Sequence, residues 1–220
     1  LEEKKRTTSG RKESSIYSVE DIAAILHLPQ PQVKRWLKEY KLGKLGVYEA
    51  ENDHSPDLVT DFYTLIEFYT FYQLRALGVM PGKINKARGV LSDMLHTPHP
   101  FATANILTDG RNVFFNAEVG QLIKADQTLQ LFIQQVVEPF CKRIEFGDDS
   151  LPIWLYPMGR ESSILIDPNR QSGRPVVGES NTLSKTVFDA FLKGNSVSAL
   201  AERFNLTKKE VEDVIKFHEQ

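Results

Sequence analysis

At 220 residues the chain is too long for one bare helix-turn-helix and suits two small domains or one elaborated one. An apolar share of 41% is enough for a packed core, and a charged share of 25% is ordinary. A formal net charge of -2 excludes a global field that draws the protein onto nucleic acid, and the single cysteine, Cys141, excludes an internal disulfide.

A reducing cytoplasm is the natural compartment for such a chain. No segment approaches the apolar length of a transmembrane helix, and residues 1–15 lack the apolar core of a signal peptide. A soluble cytoplasmic protein without a membrane partner is therefore expected. Charge is unevenly spread. Up to Gly46 ten cations face six acids, a balance of +4 that leaves -6 for the remainder. A basic head on an acidic body is the asymmetry expected of a DNA-binding end.

Residues 1–15 are polar and charged, and read as a flexible tail, either a basic arm or a solvated end. Tyr17 to Tyr40 reads as a helix-turn-helix. Ser18 is a candidate N-cap with Asp21 three residues on, and Val19, Ile22, Ala23 and Leu26 repeat at helical spacing. His27-Leu28-Pro29 breaks that period, and Pro31 fits the opening turn of a second helix. Val33, Trp36 and Leu37 would point inward there. Gln30, Gln32, Lys34, Arg35 and Lys38 would lie outward or at its start, with no acid before Glu39. Amides and cations on one exposed face suit phosphates and base edges in a major groove. The residues assigned to DNA contact are these five, Ser18 ahead of them, and Lys41 and Lys44 beyond. A helical hairpin that only packs is the alternative.

The stretch from Lys41 to Tyr48 carries two glycines between short apolar pairs. It reads as a tight turn, either a wing with Lys44 at its tip or a plain connection. Leu58 to Leu77 is expected to be one helix, closed by Gly78 and dense in aromatics: Phe62, Tyr63, Phe68, Tyr69, Phe71 and Tyr72. Those rings line either a ligand pocket or a buried core. Pro81 at N1 opens a further helix through Leu95. From Tyr17 to Leu95 the order of helix-turn-helix, wing and broken helical pair, with residues 74–87 reading LRALGVMPGKINKA, resembles the DNA-binding head of MerR-like regulators. It departs from them in lacking a long coiled-coil helix afterwards.

His96 and His99 stand three apart, but Pro98 and Pro100 interrupt any helix there, and no metal site is expected. Asn105 to Asn116 reads as a β-hairpin about Asp109-Gly110, and Ala125 to Ile144 as a helix that Pro139 kinks or ends. Ile144-Glu-Phe and Pro152 to Tyr156 read as two strands that start a second domain. The expected division is a tail at 1–15, a helix-turn-helix domain with helical and hairpin extension at 16–143, and a second domain at 144–220.

Ser196 to Ile215 aligns with Ser18 to Leu37 without a gap, so the supersecondary unit occurs twice. His27 becomes Asn205, which tolerates a left-handed backbone, and Thr207 stands where Pro29 was, as a cap for the last helix. That last helix carries Glu210, Glu212 and Asp213 among Lys208, Lys209 and Lys216. Carboxylates are repelled by a phosphate backbone, so this copy is assigned to protein contact. The expected class is mainly α with small β-hairpins (α+β): a winged helix-turn-helix domain followed by a β-hairpin and helix-turn-helix domain.

Ile164 to His218 resembles the prokaryotic family called domain of unknown function 433, whose members look like antitoxins of the VapB type. The likeness lies in a strand into Ile166-Asp167-Pro168, then Gly173-Arg174-Pro175-Val176-Val177-Gly178, a helix, Gly194 and the helix-turn-helix. Glu179-Ser180-Asn181 stands where that family usually has Gly-Thr-Arg, so no role is carried over for that arginine. The glycine pair reads as a structural loop or as a phosphate cradle. The resemblance implies a homodimeric antitoxin that binds its operator DNA and neutralises a PIN-type ribonuclease toxin. Arg170, Arg174, Glu210, Glu212, Asp213 and Phe217 are then assigned to toxin binding or dimerisation. No nucleophile with a base, Walker or Rossmann glycine pattern, or metal cluster is legible, so neither enzyme activity nor a cofactor is expected. The other reading is a ligand-responsive MerR-like transcription regulator without a toxin.

Overall fold

The computed structural model describes residues 15–41, 47–50, 57–76, 78–103 and 142–220. Among them helices alternate with small antiparallel strand groups, an α+β architecture. The hairpin expected at 105–116, the helix expected from Ala125 with its kink at Pro139, and the turn around Lys44 lie outside the described residues.

Strand β1 (Tyr17–Ser18) leads into α1 (Val19–Leu26). The Ser18 hydroxyl accepts the Asp21 amide at 3.2 Å, and the Asp21 carboxylate accepts the Ser18 amide at 2.9 Å. That is a reciprocal capping box with Asp in the place usually held by Glu or Gln. His27 ends α1 in the left-handed region at φ 52°, and its N–H donates to the Ala23 carbonyl. Helix α2 (Gln30–Lys41) follows, with Val33 and Leu37 fully buried and Trp36 nearly so.

Next come β2 (Val47–Ala50) and β3 (Asp57–Thr60), which form a sheet in the order β1-β3-β2. Tyr17 and Val47 both pair with Thr60, from opposite sides. This corrects the single helix expected from Leu58 to Leu77. Leu58, Val59 and Thr60 are extended, and α3 (Phe62–Ala76) begins only after them. Two causes combine: β-branched Val59 and Thr60 suit a pleated strand, and the Asp61 carboxylate accepts the Thr64 amide at 2.7 Å, which fixes a helix start at that point. Gly78, at φ +83°, closes the segment with its N–H on the Arg75 carbonyl. Helix α4 (Pro81–Leu95) opens with Pro81 at N1, as expected.

The aromatic rings of α3 go largely inward. Phe62, Phe68 and Phe71 are fully buried, and Tyr63, Tyr69 and Tyr72 pack against the same core. One charge lies among them. Glu67 is fully buried, and it accepts the Arg88 guanidinium at 2.7 Å and the Phe101 amide at 3.1 Å. A buried carboxylate is tolerable only when so compensated. Arg88 also donates to the Pro98 carbonyl, so α3, α4 and the 98–101 turn are fastened together. His99 brings Nδ1 to 3.4 Å from that same carboxylate, and His96 merely ends α4 in a left-handed conformation. Among the described residues no group of three or more His, Cys, Asp or Glu could hold a metal.

In the C-terminal part β4 (Ile144–Phe146) pairs with β5 (Pro152–Leu155), so Ile144 opens a strand where the sequence also allowed a helix end. Strand β6 (Ile164–Leu165) pairs with β7 (Val176–Val177), and Ile166 bridges back to Leu155. Helices α5 (Ser184–Leu192), α6 (Val197–Phe204) and α7 (Lys208–His218) complete the fold. Helix α5 stands in the place of the helix expected between Gly178 and Gly194.

Two hydrophobic cores result. The first gathers side chains from α1 to α4 with Ile144, Leu155 and Ile166; the second holds Ile164, Val177 and the inner faces of α5, α6 and α7. Ile164 and Ile166 belong to different cores, so the two meet along β6.

Candidate nucleic-acid interface

The repeat found in the sequence is a repeat in geometry. In the second unit Ser196 caps α6 by accepting the Ala199 amide, and Asn205 takes the left-handed turn position at φ 51°, the counterpart of His27 at φ 52°. Thr207 caps α7 in a second capping box with Glu210. Both units thus turn from one helix into the next by the same local device. Val33 and Val211, equivalent in the alignment, are both fully buried.

Their outer faces differ. On α2, Gln30, Lys34, Arg35 and Lys38 are exposed and Gln32 is half-buried. The acid of this helix, Glu39, is drawn to its inner side, where its carboxylate accepts the Arg75 guanidinium at 2.9 Å. Arg75 also donates to the Val79 carbonyl and lies 5.8 Å from the centroid of the Trp36 ring. Trp36 in turn packs on Tyr72 at 4.9 Å. Helix α2 is therefore held to α3 by a ring pair and an ion pair, and its one carboxylate is neutralised locally. Among the described residues Lys34, Arg35 and Lys38 enter no ion pair. Arg35 rests its guanidinium 5.5 Å from the Trp36 centroid, which orders a flexible cation without discharging it. Arg75 was not legible as part of this site, because its partner lies on another helix.

On α7 the positions of Lys34 and Arg35 are taken by Glu212 and Asp213. Asp213 accepts the Ser163 amide at 2.8 Å and lies 3.5 Å from Lys209, while Glu210 is spent in its cap. Lys208, Lys209, Glu212 and Lys216 are exposed. The second surface is of mixed sign, and two of its three carboxylates serve the fold.

The remaining expected site residues fall as follows. Ser18 uses its hydroxyl on Asp21. The backbone of Lys41 ends α2, and Lys44 lies outside the described residues. Phe217 is 1% exposed, inside the second core. Arg170 spends its guanidinium on the Gly178 and Ser180 carbonyls and the Asn181 side chain. Arg174 is exposed and, among the described residues, its side chain donates to the Gln171 carbonyl. The DNA set on α2 therefore shares one face, whereas the C-terminal set is dispersed.

The glycine-pair loop has a definite occupant. Gly173 sits at φ +75°, and a Cβ there would overlap the Tyr17 hydroxyl and come within 2.7 Å of Tyr17 Cζ and Ser15 Cβ. Ser15 donates to the Pro168 carbonyl beside it. Burial pushes the Tyr17 phenol far above its ordinary pKa, with the Asp21 and Asp167 carboxylates adding to the shift, so it stays neutral. Space beside Gly173 is filled by a ring from the first unit.

Fold and site together define an α+β protein with two similar pairs of helices joined by a tight left-handed turn, one pair presenting a cationic outer face. No family model matches the chain. It is 24% identical over 166 residues to the Mycobacterium tuberculosis protein named "Putative antitoxin VapB45", an alignment spanning 70% of this chain and 69% of that one. Its fold is similar to the crystal structure of Rv2018 from the same organism, with a TM-score of 0.73 over 93% of this chain and 99% of that one, at 19% identity. No helix among the described residues is long and apolar enough to cross a membrane.

Proposed function

We propose that this chain is the antitoxin of a toxin-antitoxin pair, and that it binds its own operator through the outer face of α2. The observation that carries the DNA part is the exposed set Gln30, Lys34, Arg35 and Lys38, with Glu39 withdrawn onto Arg75. Strands β2 and β3 beside it fit the place of a wing. Similarity to a protein named as an antitoxin, over 70% of this chain, supports the toxin-antitoxin part. In this reading the C-terminal part holds a PIN-type ribonuclease, and the protein acts as a homodimer. Arg174, exposed where Arg170 is consumed, is the basic group offered to that toxin's acidic metal-binding centre.

The test is co-expression with the reading frame adjoining this gene. A stable complex in which ribonuclease activity falls to background supports the antitoxin reading. An efflux or metabolic neighbour with no complex favours the ligand-responsive regulator instead.

Reversing the charge of Lys208 and Lys209 on the second unit is expected to leave operator affinity within about threefold, as surface cations far from a phosphate contribute little and Lys209 already lies beside Asp213. Affinity measured by filter binding checks this. A loss of tenfold or more would mean that both units read DNA.

A further inference from the structure

The turn of the first unit is docked on the last helix of the second. The imidazole of His27 meets the Phe217 ring edge-on at 4.9 Å, and Phe217 belongs to the second core. The next residue, His218, stacks on Phe188 of α5 at 4.7 Å, lies 5.0 Å from Phe217, and places Nε2 3.1 Å from the Ser184 hydroxyl. Two imidazoles thus sit at one junction, each against an aromatic ring. His27 also occupies the left-handed position just ahead of α2, so this junction fixes the entry to the cationic helix.

We propose that His27 and His218 form a proton-sensitive latch between the two helix-turn-helix units, closed when both rings are neutral and opened by protonation. His218 is half-buried between Phe188 and Phe217, where a charged imidazolium gives up part of its hydration. His27 is exposed on its outer side and acts through its edge-on contact with Phe217 and through repulsion of a charged His218. Burial lowers the pKa of His27 below the ordinary value of 6.5. His218 is lowered first by burial, then by Lys185 and by His27 itself; Asp189 on α5 opposes the shift. Asp189 is paired with Lys185 at 2.9 Å, which limits what it can offer a charged imidazole. Both groups bind protons more weakly in the closed form than when released. The latch therefore has its full strength above about pH 6.5 and loses it as pH falls through the lowered values.

This device regulates the DNA surface of the preceding reading, but its test does not need DNA. Hydrogen exchange on the full chain, corrected for intrinsic rate, is followed at the hydrogen-bonded amides of Leu28, Gln32 and Val33 from pH 7.5 to 5.5. Local opening is expected to rise about tenfold over that range, while the amides within α3 hold their protection. In a second variant His27→Asn, suited to the left-handed site as Asn205 is, combines with His218→Phe, which keeps the stack on Phe188. There the dependence should vanish, although three other histidines remain. A flat profile in the parent protein, or an unchanged dependence in the double variant, overturns the latch. A pH-dependent latch together with no operator binding at any pH supports the latch and removes the DNA reading alone.

Discussion

Replacing Lys34 and Arg35 together by glutamate is expected to abolish operator binding, a loss of at least about a hundredfold at physiological salt. Both side chains are exposed, so the variant should fold and melt like the parent. Two effects add. Each lost phosphate contact removes counterion release and flattens the log affinity against log salt by about 0.9 per contact. Each new carboxylate is also repelled by the backbone it faces. Arg35 further loses its seat over Trp36, a contribution of roughly 0.5–1 kcal/mol at an exposed site, too small to unfold the unit. Circular dichroism with salt-dependent binding separates the outcomes: native melting with a slope lower by about two supports the groove assignment. An unchanged slope removes it.

The largest stability effect is expected from Gly173→Ala. A methyl group there meets a left-handed backbone at φ +75° and the Tyr17 ring at once. The backbone term is about 1–2 kcal/mol, and overpacking adds about 1–3 kcal/mol because Tyr17 and Ser15 are both buried. Denaturant unfolding should show a loss of about 2–5 kcal/mol. Tyr17→Phe in the same background removes the atom that the new methyl overlaps most closely, and should return part of that loss. Equal stability of parent and Gly173→Ala would show that the ring does not occupy the loop.

What the sequence made legible was local. Both turn-linked helix pairs could be read because their signals sit within four residues: Ser18 with Asp21, Thr207 with Glu210, His27 and Asn205 at equivalent turns. The outer face of α2 followed from helical spacing alone, and Val33, Trp36 and Leu37 are buried as that spacing requires. Strand β3 was not legible, because Leu58 to Thr60 continue an apolar run that suits a helix equally well. Its strand partners, Tyr17 and Val47, lie elsewhere in the chain. The glycine loop shows the same limit from the other side. A glycine pair can cradle a phosphate or admit a ring, and only the fold brings Tyr17 to Gly173. Phe217 illustrates it again: one ring on an amphipathic helix is equally a contact residue or core, and His27 and the second core settle where it goes.

The most direct measurement is a chemical-shift map of the full chain titrated with an operator fragment. The account predicts that the largest perturbations cluster on residues 30–38, with Lys34, Arg35 and Lys38 foremost, and spare residues 208–216. Perturbations centred on 208–216, or none at low salt, would contradict it.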